Sequence, residues 1–101
     1  MIIYNVTVKI EHGIESDWLQ WMRNVHIPDV IKTGQFVGHR LCRLLEQDEE
    51  DGVTYAVQYF CNSLDNINKY RERYATALQA EHQRRYGNHY VAFRTILEVL
   101  E

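Results

Sequence analysis

The sequence lacks most of the features that assign a protein to a class at first sight. It has one proline and two cysteines in 101 residues, and Cys42 and Cys61 do not form a CxxC pair. A dense disulfide framework is therefore excluded, and we expect both thiols to be free. No apolar run approaches the roughly 20 residues of a membrane span, and residues 1–5 lack the cationic region of a signal peptide. We therefore expect a cytoplasmic protein that does not act at a membrane.

Catalytic and cofactor motifs are missing as well. The sequence contains no HExxH, paired CxxC or facial-triad spacing, no GxSxG, and neither a phosphate-binding glycine loop nor GxGxxG. It therefore predicts no metal site and no cofactor. An acidic run at residues 46–51 does not have the spacing of an EF-hand, and such a run is usually a solvated loop.

A nucleic-acid partner is not expected either, although basic residues are concentrated in residues 69–94. The RNA-recognition module has the order β-α-β-β-α-β, which the hydrophobic pattern of this chain also predicts. Residues 51–58 can be aligned with the third-strand motif of that module. The match is poor, because an acid stands where that motif begins with a base and Val53 and Gln58 replace aromatic residues.

What is present is the composition of one folded domain. Hydrophobic residues make up 46% of the chain and charged residues 25%, with a formal net charge of -3. This balance excludes a disordered tail, and 101 residues are too few for two cores of useful size. We expect a single domain over residues 1–101.

The hydrophobic pattern predicts the order of elements. Four strands are expected, over residues 1–10, 36–46, 53–61 and 90–100. Two helices are expected between them, over residues 16–33 and 63–86. The resulting order, β-α-β-β-α-β, predicts an α+β, ferredoxin-like fold with a four-stranded antiparallel sheet and both helices on one face.

Local signals define the ends of the helices and one irregularity. Ser16 and Ser63 are expected to be the N-caps of the two helices. Pro28 lacks the backbone N–H of a helical residue, so the first helix should break near His26 and restart, before it ends at Gly34.

The faces of the sheet follow from residue parity. The even-numbered residues of the first strand are all apolar and should lie under the helices, together with the odd-numbered residues of the third strand. On the fourth strand the pattern favours as the helix-free set Tyr90, Ala92, Arg94, Ile96, Glu98 and Leu100. Phe60, Ile96 and Leu100 would then be exposed together, which is more apolar surface than a small monomer usually exposes. The sequence therefore predicts a homodimer through the helix-free face.

Tyrosines are concentrated between the sheet and the helices. Five phenols should point into this layer, namely Tyr4, Tyr55, Tyr59, Tyr70 and Tyr74. A buried hydroxyl without a partner costs about 1–3 kcal/mol. The layer is therefore either a wet cleft or a core whose hydroxyls reach solvent at its edge.

His26 lies at the predicted helix irregularity, beside this layer. An imidazole with an ordinary pKa of about 6.5 can act as a general acid or base in a cleft. The alternative is that it caps backbone groups freed by Pro28. The candidate site has His26 as its catalytic residue and, as ligand-binding residues, Tyr4, Trp21, Tyr55 and Tyr59.

The other histidines carry weaker signals. His12, His82 and His89 have the pattern of loop or helix-surface residues. His82 also follows the inward stripe of the second helix, whose polar end is either an overhang beyond the sheet or the mouth of a cleft. The sequence does not decide which way His39 faces.

Five segments together resemble a small bacterial family, domain of unknown function 4286. They are residues 1–8, 18–22, 25–30, 54–59 and 90–95. The resemblance covers nearly the whole chain, and His26-Ile27-Pro28-Asp29 is its most specific part. More distantly, the architecture is similar to the dimeric α+β barrels, which include cofactor-independent monooxygenases, isomerases and dehydratases, and proteins with no known chemistry. In several of these a histidine or an acid near the first helix lines a cleft, which is an analogy at the level of the fold.

Two functions fit these observations. The first is binding of a small molecule, with or without turnover, in a cleft between the sheet and the helices. The second is a non-catalytic assembly or regulatory module that acts through its dimer or its sheet face.

Overall fold

The computed structural model describes all of residues 1–101. Its strands are β1 (Ile2–Ile10), β2 (Gly38–Arg43), β3 (Val53–Cys61) and β4 (Tyr90–Glu98). The first helix consists of α1 (Glu15–Trp21), a π-helical turn (Met22–His26) and α2 (Ile27–Lys32), after a 3-10 turn (His12–Ile14). The second helix consists of α3 (Leu64–Tyr70), a π-helical turn (Arg71–Ala75) and α4 (Thr76–Tyr86). The predicted α+β, ferredoxin-like order is confirmed. None of the helices combines the length and the apolar character that crossing a membrane requires.

The four strands form one antiparallel sheet in the order β2-β3-β1-β4. Directly paired residues of antiparallel strands share a face. Tyr4 of β1 pairs with Tyr59 of β3 and with Ile96 of β4, so these three side chains lie on one face. The rings of Tyr4 and Tyr70 lie 5.5 Å apart, and those of Trp18 and Tyr55 lie 5.1 Å apart. Both helices therefore cover this same face.

The core lies between the sheet and the helices. Seventeen buried residues form one cluster, to which β1, β3 and both helices contribute. The even residues of β1 and the odd residues of β3 point into it, as predicted, and every odd residue of β3 is buried. Several of its members are aromatic, namely Tyr4, Trp18, Phe36, Tyr55, Tyr59, Tyr70 and Tyr86.

The irregularity near Pro28 is a change of helix type. The backbone stays helical at His26 and Ile27, and the N–H of Ile27 bonds to the carbonyl of Met22, five residues earlier. A proline ring clashes with the carbonyl four residues before it, which is that of Asn24, and the wider π-turn relieves this crowding. The predicted position was right, but the chain does not break there.

Of the two predicted N-caps, the position of Ser63 is confirmed and that of Ser16 is wrong. The first helix begins at Glu15, so Ser16 lies inside its first turn, because the preceding 3-10 turn offers the carbonyl of His12 to the N–H of Glu15. Ser63 occupies the N-cap position of the second helix with extended backbone angles. Its hydroxyl donates to the side chain of Asn66 at 3.0 Å rather than to the helix backbone.

β2 is shorter than predicted. The N–H of Val37 still bonds to the carbonyl of Phe60 at 2.8 Å, but the regular strand begins only at Gly38. Phe36 is buried, with its ring 5.3 Å from that of Tyr59. The strand ends at Arg43, and Glu46 then adopts a left-handed backbone conformation with φ of 58°. His39 pairs with Tyr59 and so lies on the helix side at the edge of the sheet.

The predicted faces of β4 are reversed in the structure. Arg94 pairs with Val6 and Ile96 pairs with Tyr4, so the residues expected on the helix-free face lie on the helix side. Both parities of β4 contain apolar residues, and only the register with β1 distinguishes them. Leu100 lies beyond the end of the strand. The exposed apolar residues of β4 on the helix-free face are Val91, Phe93 and Leu97.

Candidate functional site

Two imidazoles face each other between the helices. His26 comes from the π-turn of the first helix and His82 from α4. Their ring centroids are 5.9 Å apart, and the indole of Trp21 packs 5.1 Å from His26 and 5.7 Å from His82. The indole N–H of Trp18 donates to Nε2 of His82 at 2.8 Å. Because Nε2 accepts this bond, neutral His82 carries its proton on Nδ1.

A cavity of about 40 Å³ lies beneath these rings. This volume holds about two or three water molecules. The floor comes from β1, β3 and β4 and the roof from the two helices. The lining residues are Tyr4, Val6, Val8, Trp18, Met22, His26, Val57, Tyr59, Tyr70, Gln79, His82, Tyr90, Ala92 and Arg94.

Two buried polar atoms at this cavity have no hydrogen-bond partner within the chain. They are Nδ1 of His26 and the hydroxyl of Tyr59. Tyr59 is 2% exposed, so bulk solvent does not reach it. Buried polar groups in folded proteins are nearly always paired. Both of these unpaired atoms belong to residues that line the same cavity.

Both histidines are held in the neutral form. Burial lowers the pKa of His26 to about 4, with Asp29 opposing this shift and Arg94 adding to it. Burial also lowers the pKa of His82 to about 4, and His26 and Arg94 add to the shift. At neutral pH the rings therefore act as hydrogen-bonding groups without charge.

The phenols at the cavity are held in the protonated form. Burial raises the pKa of Tyr59 and the pKa of Tyr70 well above the ordinary value. Burial also raises the pKa of Tyr4, and the guanidinium of Arg94 partly opposes that shift. Each phenol is therefore able to donate a hydrogen bond at any physiological pH.

Arg94 is the only charged residue that lines the cavity. It forms none of the four salt bridges of the chain. Together with Gln79 it also lines two surface grooves of about 520 and 320 Å³, between the second helix and β4. Arg94 and Gln79 therefore stand where the cavity meets these grooves.

Three of the five predicted site residues line this cavity, namely Tyr4, His26 and Tyr59. Trp21 does not line the cavity, but its indole packs against the imidazole of His26, with ring centroids 5.1 Å apart. Tyr55 lies apart, against Trp18, and its hydroxyl donates to the carboxylate of Glu15. The structure thus brings together a smaller set than the sequence suggested.

Sequence reasoning missed two polar members of the site. The sequence predicts His82 as a loop or helix-surface residue, and its one signal for a cleft is the polar end of the second helix. Arg94 was placed on the opposite face of the sheet, because the parity of β4 was misassigned. The sequence offers no signal that corrects the second error, since the register between β1 and β4 decides it.

The structure contains no group of three or more His, Cys, Asp or Glu side chains arranged to hold a metal ion. The pair of His26 and His82 is completed by aromatic rings and by Arg94. A cation beside Arg94 would be repelled, so the donor set does not fit a metal site.

Comparison with known proteins returns one family and several structures of the same fold. The family model, described as domain of unknown function (DUF4286), matches residues 1–100. No curated protein matches the chain.

The structural neighbours have low sequence identity and cover the whole chain. A mutant of MhuD, solved with two manganese protoporphyrin IX molecules per active site, is 16% identical with a TM-score of 0.73, over 100% of this chain and 96% of that one. A dimeric ferredoxin-like protein from an uncultured marine organism is 8% identical with a TM-score of 0.73, over 100% and 96%. SnoaB, a cofactor-independent oxygenase from Streptomyces nogalater, is 13% identical with a TM-score of 0.63, over 99% and 94%. At these identities the neighbours establish the fold alone.

Proposed function

The chain belongs to the DUF4286 family, whose description is a domain of unknown function, and from the cavity beside His26 we infer that it binds a small organic molecule. The observation that carries this proposal is the pair of unpaired buried atoms, Nδ1 of His26 and the hydroxyl of Tyr59. A buried polar group without a partner costs about 1–3 kcal/mol. A ligand that pairs with both atoms recovers this cost, which supports its binding.

The size of the cavity restricts the ligand. A volume of about 40 Å³ accepts a group of a few heavy atoms, and the rest of a larger ligand would lie in the grooves beside Gln79. A porphyrin, as bound by the MhuD mutant, does not fit inside. The size therefore favours a small metabolite over a macrocyclic cofactor.

We propose that His26 acts mainly as a hydrogen-bonding residue. General bases work best when their pKa is near the operating pH, and the pKa of His26 is about 4. Without a bound ligand its imidazole is therefore a weak base at neutral pH. Proton transfer by His26 requires a ligand whose own charge raises that pKa. Binding is thus the first expectation, and turnover depends on the ligand.

The experiment that tests binding compares a residue at the cavity with a residue away from it. Ala92 lines the cavity, whereas Val37, just before β2, is 66% exposed and lines neither the cavity nor the two grooves. A set of small polar organic compounds is tested against the ¹⁵N-labelled protein by NMR. Compounds that bind should shift resonances of residues at the cavity. Ala92→Leu fills the cavity and should abolish these shifts, whereas Val37→Leu should retain them.

Two results would contradict the proposal. One is that no compound shifts the cavity resonances of the wild-type protein. The other is that Ala92→Leu, folded as judged by its spectrum, binds the same compounds with unchanged affinity.

A second proposal concerns the helix-free face of the sheet, which we propose is a homodimer interface. Phe93 is 61% exposed and Leu97 is 42% exposed on this face, and Leu97 pairs with Ile3, which pairs with Phe60. Contiguous exposed apolar surface of this kind is typical of protein interfaces. Dimeric ferredoxin-like proteins are among the structural neighbours.

The centre of this face supports the same proposal. Asn5 is 7% exposed, and its side-chain N–H groups donate to the hydroxyls of Thr7 and Thr95. Its carbonyl oxygen has no partner within the chain. A donor from a second copy of this chain would satisfy it. If the cavity binds nothing, this interface favours the assembly or regulatory module over an enzyme.

We also propose that the protein acts in the cytoplasm. Cys42 and Cys61 are both free thiols, and a reducing compartment keeps such thiols from oxidation.

A further inference from the structure

We propose that the ligand is a carboxylate monoanion whose head enters the cavity, with Arg94 as its counter-charge at the mouth and Tyr59 as a donor inside. This inference rests on the proposed binding function and adds the chemical class of the ligand. It draws on three properties of the site: its charge, its hydrogen-bond donors and its size.

The charge at the cavity wall is positive, and Asp29, whose charge acts on His26, does not line the wall. Arg94 lines the cavity, and no Asp or Glu does. The carboxylates of the four salt bridges are bound to Arg43, Lys69, Arg85 and His89. Arg71 lines the groove next to the cavity and adds a second cation. Arg94 contacts the phenol of Tyr4 but has no carboxylate partner, so an anion at the mouth gains attraction without breaking an ion pair.

The groups inside the cavity favour an acceptor-rich head. The hydroxyl of Tyr59 has no partner and stays protonated, so it is a free donor. Nδ1 of His26 is also unpaired, and it becomes a donor when the ring takes the tautomer protonated on this atom. A carboxylate has two oxygens with several acceptor positions, so it can accept from Tyr59, His26 and Arg94 together.

The volume distinguishes a carboxylate from a phosphate. A carboxylate head has three heavy atoms and is planar, which suits a cavity of about 40 Å³ between aromatic rings. A phosphate monoester head is bulkier, is tetrahedral and carries about two negative charges near neutral pH, for which the cavity offers one lining cation. The groove of about 520 Å³ beside Gln79 accepts the remainder of the ligand.

The test uses three probes that share one ring. Benzoate carries the carboxylate, benzamide is its neutral counterpart, and phenyl phosphate carries the alternative anion. Each is titrated into the wild-type protein at pH 7.5 and followed by ¹⁵N NMR. Benzoate should bind at least about tenfold more tightly than benzamide, as expected from one charge-assisted hydrogen bond. Phenyl phosphate should bind more weakly than benzoate.

Substitution of Arg94 gives the second measurement. Arg94→Gln should weaken benzoate about tenfold or more and leave benzamide nearly unchanged. Arg84→Gln is the matched control, because Arg84 is an exposed arginine of α4 that does not line the cavity. It removes the same charge from the protein and should leave benzoate binding within about twofold of the wild type, since exposed charges at a distance are screened.

The possible results separate this inference from the proposed function. Equal affinity for benzamide and benzoate, or an unchanged benzoate affinity in Arg94→Gln, overturns the carboxylate assignment while ligand binding stands. Tighter binding of phenyl phosphate replaces the carboxylate by a phosphate. If none of the three probes binds, the carboxylate assignment fails, and the comparison of Ala92→Leu with wild type decides the proposed function separately.

Discussion

The two buried imidazoles make the stability of this protein depend on pH in the mildly acidic range. The pKa values of His26 and His82 are lowered to about 4 in the folded protein, and an imidazole in the unfolded chain titrates near about 6.5. Between these values the unfolded chain binds protons that the folded chain does not bind. The free energy of unfolding is therefore highest above about pH 6.5 and decreases as the pH falls toward about 4.

The size of this effect follows from the two pKa values. For one imidazole that titrates near 4 when folded and near 6.5 when unfolded, lowering the pH from about 8 to about 5 removes about 2 kcal/mol of stability. The loss approaches about 3 kcal/mol once the pH falls below about 4. His82 is somewhat less buried than His26, so solvent screens its charge more and we expect its contribution to be smaller.

Urea unfolding at pH 8 and at pH 5 measures the effect directly. His26→Gln removes the titrating ring, so the loss of stability between the two pH values should be about 2 kcal/mol smaller than in the wild type. Any change in packing affects both pH values alike and cancels in this difference. His39→Gln is the matched control, because His39 is exposed on β2 and should keep the wild-type dependence. The reasoning is refuted if His26→Gln loses as much stability as the wild type between pH 8 and pH 5.

Two further predictions concern the unpaired groups and the exposed face. Tyr59→Phe removes a buried hydroxyl without a partner, so it should leave the free energy of unfolding unchanged or raise it by about 1 kcal/mol. Tyr55→Phe loses the hydrogen bond to Glu15, so it should lower the free energy of unfolding by about 1–3 kcal/mol. Urea unfolding at pH 7 measures both variants, and equal losses of stability would contradict the prediction. If the proposed homodimer forms through the helix-free face, Phe93→Asp should be a monomer in light scattering. Leu45→Asp, at a residue 76% exposed in the loop between β2 and β3, should then remain dimeric. A Phe93→Asp protein that is still dimeric at micromolar concentration places the interface elsewhere.

The order of elements and the faces of two strands could be predicted from the sequence, for a simple reason. The even residues of β1 and the odd residues of β3 differ sharply in polarity from their neighbours, so one parity is clearly buried. β4 carries apolar residues on both parities, because one set faces the helices and the other forms the exposed sheet face. Polarity alone does not rank two apolar sets. The face of the sheet on which Arg94 lies, and therefore the charge of the site, could not be predicted from the sequence.

The two π-turns interrupt the regular spacing of buried residues along the helices, which limits what the sequence pattern predicts. In the first helix the buried residues are Trp18, Met22, Ile27 and Val30, so one step between them spans five positions. In the second helix the step from Tyr70 to Ala75 also spans five. A regular α-helix places buried residues three or four positions apart. Pro28 marks the π-turn of the first helix in the sequence, so the irregularity at His26 could be predicted. The second helix contains no proline, so its π-turn could not be predicted in this way.

The π-turns also determine which changes of chain length the protein tolerates. Each residue of an α-helix advances the chain by about 100° around the axis, and a π-turn holds one residue more than an α-turn needs. Deleting one residue between Met22 and His26 would therefore close the π-turn to an α-turn. The buried residues Trp18, Met22, Ile27 and Val30 would then be three or four positions apart, so Trp18 and Val30 would still both face the sheet. The α-helical segments have no such extra residue, and a deletion within one of them would rotate its two ends against each other by about 100°. Residues 45–51 form a largely exposed loop between β2 and β3. Insertions and deletions among relatives should thus accumulate in that loop and at the two π-turns, while the α-helical segments keep their length even where their residues are replaced.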